Sequence, residues 1–178
     1  MSVIFPNISF LKSQWTIPFW EEKEERIDTL AFHHLEGKWE NFVLFEYKWS
    51  GGGERPLTQV SGYYKLLKKN AANYYVLRNE VLNDYLKENG QKEVEWKHNR
   101  NSMKNFWEKF ILICVAPFGY YNSREIRDAR EENGRGGIIL VEVSKHENDS
   151  VLISLVEDRY RELLGMNCRN ILIVPKKK

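Results

Sequence analysis

Cysteine, charge imbalance and long apolar runs are all scarce in this chain, and each scarcity excludes something. Two cysteines, Cys114 and Cys168, among 178 residues are too few for a disulfide scaffold, and unaided they cannot hold a zinc ion or an iron–sulfur cluster. They read as buried thiols. The longest apolar stretches, such as "FILICVAPF", fall far short of the ~20 residues that span a bilayer, so no membrane partner is expected. The opening "MSVIFPNISFLKSQW" has no basic segment leading into a clean apolar one; no signal peptide is read there, and the expected compartment is the cytoplasm. Charge is close to balanced, 27 Lys and Arg against 25 Asp and Glu for a net +2, which neither demands nor forbids nucleic acid as a partner. Internal repeats and low-complexity tracts are missing. The one flexible-looking stretch is "SGGGERP" at 50–56. Its glycines lack the following GK[ST] of a phosphate loop, so they are expected to form a mobile loop that could meet substrate.

What is present is apolar and aromatic: 42% hydrophobic residues, 13% of all residues aromatic. That suits one domain spanning residues 1–178, large enough to bury roughly 70% of the surface its unfolded chain would expose. Short apolar segments with strand character fall near 26–34, 41–49, 109–117, 137–144, 150–156 and 170–174. Helical periodicity fills 57–70, 73–89, 122–133 and 156–165, and 90–105 reads as a polar connection. The alternation predicts an α/β fold with a mixed central sheet flanked by helices.

Within "RIDTLAFHHLEGKWENFVLFEYKW", residues 26–49, charges interrupt what otherwise looks like core. Glu46 and Lys48 share a strand face with Leu44, while Val43, Phe45 and Tyr47 share the other. Both faces are largely apolar, the pattern of a sheet covered on two sides, where an isolated charge is costly. With a turn at "EGK" and cross-strand pairs summing to 74 about Gly37, Asp28 falls opposite Glu46 and projects from the same face. Two carboxylates that close repel unless a cation lies between them. Oxygen ligands of this kind suit Mg²⁺ or Mn²⁺, with the backbone carbonyl of Tyr47 as a further ligand. Lys48 beside them could orient or help deprotonate an attacking water and offset charge on a phosphoryl transition state. The plainer alternative is a buried ion pair of either acid with Lys48.

The run "RID", 17 residues, then "EYK" at the end of an apolar strand resembles the half-motif of the PD-(D/E)XK nuclease superfamily, whose fold is restriction-endonuclease-like. Ile27 stands where many members carry proline. "QVSGY" supplies Gln59 and Tyr63 in the QxxxY pattern of RecB-type members, on one helical face. The resemblance implies that Gln59 bonds a substrate or motif group and that Tyr63 stacks on or bonds to DNA. The plain alternative makes Tyr63 a core aromatic. A looser likeness continues through "FILICVAPFGYYNSREIRDAREENGRGGIILVEV". In many members an earlier helical acid completes the site, and Glu21, Glu22, Glu24 and Glu25 are available. The implied function is Mg²⁺-dependent hydrolysis of phosphodiester bonds in DNA, with a homodimer favoured if both strands of a duplex are cut. The runner-up is a catalytically silent nuclease-fold protein acting as a nucleic-acid-binding or assembly subunit.

Lys65, Lys68 and Lys69 recur at helical spacing and are candidates to track phosphates. Lys97, His98, Arg100 and Lys104 crowd a polar segment, and "PKKK" closes the chain; ordinary solvated surface is the alternative for each group. His33 and His34 are expected at a surface or turn, because adjacent strand residues face opposite ways and His34 lies too far from Asp28 to share its metal. "LEGKWENF" faintly resembles lipocalin openings, which would imply a small-ligand barrel, but the helical middle of the chain argues against it.

Overall fold

The computed structural model describes residues 5–17, 26–35, 38–48, 55–69, 76–93, 110–131 and 137–174. Its centre is a seven-stranded mixed sheet whose strands lie side by side in chain order. They are β1 (Ile8–Thr16), β2 (Arg26–Leu35), β3 (Lys38–Tyr47), β4 (Ile111–Pro117), β5 (Ile138–Lys145), β6 (Val151–Leu155) and β7 (Asn170–Ile173). The first three form an antiparallel meander, β3, β4 and β5 run parallel, and β6 and β7 return antiparallel.

Parallel neighbours need a crossover, and helices supply it. Between β3 and β4 come α1 (Pro56–Lys69) and α2, a π-helical run Val76–Leu82 that continues as α-helix through Asn83–Glu88. Helix α3 (Ser123–Glu131) links β4 to β5, and the short α4 (Arg161–Leu164) lies between β6 and β7. No described helix is long and apolar enough to cross a membrane. The expected α/β class and mixed sheet with flanking helices are what the chain adopts.

Strand alternation divides the core in two. Leu30, Phe32, Phe42, Leu44, Leu112 and Leu140 point to one face, where α1 lays down Val60, Tyr63 and Leu67 at three- and four-residue spacing. Ala31, Val43, Phe45, Ile113 and Val141 point to the other, toward Phe5, Tyr160 and Leu164. Strand β4 is buried along nearly its whole length, as a central parallel strand must be.

Three departures from the sequence expectations have local causes. β1 escapes a period-two reading because Lys12, Ser13 and Gln14 are exposed in succession, its register slips between Phe10 and Lys12, and Gln14 takes a left-handed φ of 48°. The helix expected over 156–165 shrinks to four residues: Val156 still donates its N–H to the Leu140 carbonyl, and Gly165, with φ 71°, terminates the turn. Cys168 is exposed, not buried, although both thiols are free as expected. Residues 36–37, between Leu35 and Lys38, lie outside the described residues, as do Glu21, Glu22, Glu24, Glu25, the glycines 51–53, the cluster from Lys97 to Lys104 and the closing lysines.

Candidate active site

The two strands of the first hairpin hold the pairing on which the site depends. Thr29 pairs with Phe45, Leu30 with Leu44, Ala31 with Val43, Phe32 with Phe42 and His33 with Asn41, each pair summing to 74. Toward the turn the register slips by one, so that Leu35 pairs with Lys38; a bulge between His33 and His34 absorbs the difference. Carried one residue past Thr29, the register sets Asp28 opposite Glu46. The ladder ends there in an unusual way. Lys48 donates its N–H to the Val115 carbonyl on β4, and because successive residues direct their backbone groups to opposite neighbours, Tyr47 turns its own toward β2. Its N–H is taken by the Asp28 carboxylate, Oδ2, at 2.9 Å. The Tyr47 carbonyl leaves the strand on that same edge.

Asp28 and Glu46 interact strongly. Glu46 is 4% exposed, and its carboxyl is raised from 4.5 to about 8, first by burial, then by the charge of Asp28 and by the hydrogen bond between the two side chains. The Tyr63 hydroxyl, donating to Glu46, and the charge of Lys48 pull it back down by less. At neutral pH Glu46 therefore keeps its proton beside Asp28, as expected for a carboxyl group buried against a second acid. Next to Glu46 on β4 lies Cys114, whose thiol is pushed well up by burial and by Glu46, so it is an inert neighbour and not a nucleophile.

The structure thus brings Asp28, Glu46, Lys48 and Tyr63 together. Tyr63 corrects one expectation: at 5% exposed it offers no ring face to a nucleic-acid base, and its hydroxyl serves Glu46 instead. Gln59 stands one turn earlier on the same face of α1, half-buried. Lys65 and Lys69 are exposed on α1; the Lys68 side chain is outside the described residues. Lys65 lines a cleft between α1 and α3, with Arg55, Thr58, Ser61, Glu125 and Asp128. His33 also departs from expectation. It is 2% exposed in the sheet, with Nε2 2.9 Å from the Leu163 carbonyl, because the bulge keeps it within the strand, on the face away from Asp28.

One contributor escaped the sequence reading. Gln14 of β1 donates from Nε2 to Asp28 Oδ1 at 2.8 Å, so both oxygens of Asp28 accept a hydrogen bond. Its left-handed backbone delivers that contact, and no sequence pattern announces such a conformation for glutamine.

The donor set suits a hard divalent cation. Among the described residues no three His, Cys, Asp or Glu side chains gather, but Mg²⁺ is commonly held by one or two carboxylates, with water and phosphate oxygens completing its octahedron. Carboxyl groups from β2 and β3 and a carbonyl at the end of β3 meet that requirement, and the proton on Glu46 is what a cation would displace. Compared with protein-family models, with curated proteins and with solved structures, the chain matches none of them, so the chemistry of this site rests on its own geometry.

Proposed function

We propose that the protein is a metal-dependent nuclease of the PD-(D/E)XK kind, hydrolysing phosphodiester bonds in DNA. The carrying observation is the pairing of Asp28 with Glu46, which leaves a buried carboxyl protonated up to about pH 8 with Lys48 in its field. Such an arrangement is expensive for structure alone: a stabilising ion pair would have placed Lys48 as the main partner of either acid, whereas the largest electrostatic influence on Glu46 is another acid. The sheet order, with the hairpin feeding a parallel strand through α1, is compatible with a restriction-endonuclease-like fold.

Asp28, Glu46 and the Tyr47 carbonyl would hold Mg²⁺ or Mn²⁺, which supplies Lewis acidity toward the phosphodiester and lowers the pKa of water. Gln14 and the Tyr47 N–H keep the Asp28 carboxylate fixed in orientation. Glu46 would release its proton to solvent to serve as a ligand. Lys48 orients the attacking water and offsets negative charge as the new P–O bond forms and the old one breaks, leaving a phosphate monoester and a free hydroxyl. Tyr63 steadies the ionised Glu46. The enzyme is expected in the cytoplasm, and as a homodimer where both strands of a duplex are cut.

The test is cleavage of labelled single-stranded, blunt, overhanging and branched DNA with Mg²⁺, with Mn²⁺ and with chelator. The expected result is cutting that needs the metal and is lost in Asp28→Asn and Lys48→Ala. DNA binding without cutting under every metal condition would replace the enzyme with the silent binding subunit.

A further inference from the structure

Strands β3 and β4 run parallel and end at the same edge of the sheet, so the loop leaving β4 borders the Asp28–Glu46 site. That loop is "PFGYY", residues 117–121. Three of its residues are aromatic, and they divide by burial. Tyr121 is buried in the core beneath α1, and Tyr120 packs edge-on against it, ring centroids 5.4 Å apart. Phe118 is 70% exposed.

Single exposed apolar residues are common and by themselves mean little. Phe118 differs in how firmly it is held out. Its N–H donates to the Val143 carbonyl at 3.0 Å, and Tyr120 N–H closes the turn onto Pro117 at 3.1 Å. Gly119 N–H is taken by Glu142 Oε1 at 3.0 Å. Gly119 has φ +76° and no atom within 4 Å of where a Cβ would stand, so glycine is needed for the backbone turn and not for space. The loop backbone is thus held by sheet, core and side-chain contacts, and its large apolar group standing mostly in water is the phenyl ring of Phe118. The loop runs directly into α3, whose Arg124 and Arg127 are well exposed beside Asp128.

Position gives the ring its task. The β3–β4 register pairs Glu46 with Cys114 and Tyr47 with Val115, which sets Lys48 beside Ala116. Phe118 lies two residues further, so its Cα is ~8 Å from that of Lys48, one strand spacing across and two residues along. That is the scale of the step between neighbouring nucleotides in an extended strand. We infer that Phe118 is a substrate-positioning residue whose ring stacks on an unpaired base next to the phosphate that Lys48 and a cation on Asp28 and Glu46 would engage, so that the enzyme acts on single-stranded or unpaired-end nucleic acid in preference to intact duplex. The inference rests on the nuclease reading of that site. A pair inside a duplex has both faces occupied by its neighbours in the stack and offers none to a fixed ring, whereas an unpaired base can turn a π face to it.

The experiment uses oligonucleotides carrying 2-aminopurine at an interior position, as single strand and as blunt duplex, with the full-length protein in chelator so that nothing is cut. Cleavage of the same probes in Mg²⁺ is measured in parallel. Wild type should quench the fluorescent base of the single strand. Phe118→Ala should abolish the quench, weaken single-strand binding by roughly 5- to 150-fold, as loss of one base–aromatic stack does, and leave duplex binding within about twofold. Phe118→Trp should restore both. The ring lies in water, so the variants' melting temperatures should match wild type, which separates lost stacking from lost fold. Cleaving protein whose Phe118→Ala variant binds and quenches like wild type overturns this inference and leaves the nuclease standing. Equal losses on single strand and duplex also overturn it. Wild type that neither binds nor cuts any probe overturns both.

Discussion

Two glutamates of this protein are almost equally buried and could hardly be treated more differently. Glu125, 6% exposed, lies in the first turn of α3, and its Oε2 accepts the Asn122 N–H at 3.0 Å while Asn122 Oδ1 accepts the N–H groups of Arg124 and Glu125. This reciprocal arrangement caps the helix, and Arg55 adds a cation 3.7 Å from Oε1. Its carboxylate thus has a backbone donor and a guanidinium as named partners. Glu46, 4% exposed, sits instead against Asp28 at the end of a sheet ladder, and its surroundings hold it protonated to about pH 8. A buried acid provided with donors explains itself by structure. A buried acid provided with a second acid needs a cation, or a proton, to complete it.

The largest effect that separates the two is on catalysis. If the proposed nuclease reading holds, Asp28→Asn, Glu46→Gln and Lys48→Ala should each lower Mg²⁺-dependent cleavage on the order of 10²- to 10³-fold or more, since in that reading each removes a group that acts on the reacting phosphate or its cation. Glu125→Gln, which keeps an acceptor for the Asn122 N–H, should leave the rate within about twofold. Single-turnover assays on one DNA substrate make the comparison. If Glu125→Gln cripples cleavage as deeply as Glu46→Gln, the division between a capping and a reacting carboxyl is wrong.

The contrast was only half visible in the sequence. Period-two alternation placed Glu46 among apolar neighbours, and the pairing sum of 74 placed Asp28 across from it. That sum survives although the closing pair, Leu35 with Lys38, belongs to a different register, because the bulge at His33 and His34 restores it before the site is reached. A bulge depends on tertiary fit and leaves no reliable composition signal. The same holds for Gln14, whose left-handed φ of 48° aims it at Asp28. The spacing of Gln59 and Tyr63 was legible too, but not the partner of Tyr63: four-residue spacing fixes which way a side chain faces on a helix, whereas what it meets depends on how α1 lies on the sheet. The role of Glu125 is not legible in the sequence because a capping box needs a known helix start, and α3 begins where an aromatic loop ends.

A smaller but cleaner separation lies in stability against pH. The folded-state carboxyl of Glu46 is raised above its ordinary 4.5, so the folded protein binds that proton more tightly than the unfolded chain does. Stability from this group is fully present below pH 4.5 and is lost as pH rises toward 8, by on the order of 3–5 kcal/mol at most. Melts in chelator should therefore decline over that window. Mg²⁺ should recover part of the loss at pH 8 and little at pH 5, because the proposed site takes the cation only when folded and deprotonated. Asp28→Asn should make the decline shallower without abolishing it, since burial of Glu46 remains, and should melt at or above wild type at pH 8, with no response to Mg²⁺. The substitution is tolerable locally: the new Oδ1 can accept the Tyr47 N–H while Nδ2 donates to the Gln14 amide turned over. Glu125→Ala should behave oppositely, losing about 1–2 kcal/mol with its cap at every pH in this range and keeping the wild-type response to Mg²⁺. A large drop in the chelated Asp28→Asn melt would instead make Asp28 a structural partner and remove the ground for the metal site.

The smallest effect tests whether Glu46 is tuned by its neighbours or only buried among them. Tyr63 donates a hydrogen bond that lowers the pKa of Glu46, in opposition to burial and Asp28. Replacing it with phenylalanine keeps the ring that packs between Val60 and Leu67 and removes only the hydroxyl. Ionised Glu46 loses a donor, the neutral acid loses almost nothing, and the carboxyl must titrate higher. The loss of one hydrogen bond of ordinary net strength, about 1 kcal/mol, corresponds to roughly 0.5–1 on the pH scale. In Tyr63→Phe the pH at which Mg²⁺ begins to stabilise the protein should rise by that amount, and the acid limb of the cleavage profile should move with it. At saturating metal and pH 9, where Glu46 is ionised in both proteins, cleavage should return close to wild type. A purely packing role for Tyr63 makes a different forecast: lower stability at all pH values and an unmoved midpoint. That outcome would leave Glu46 governed by burial and Asp28 alone, and would return the QxxxY spacing on α1 to the core.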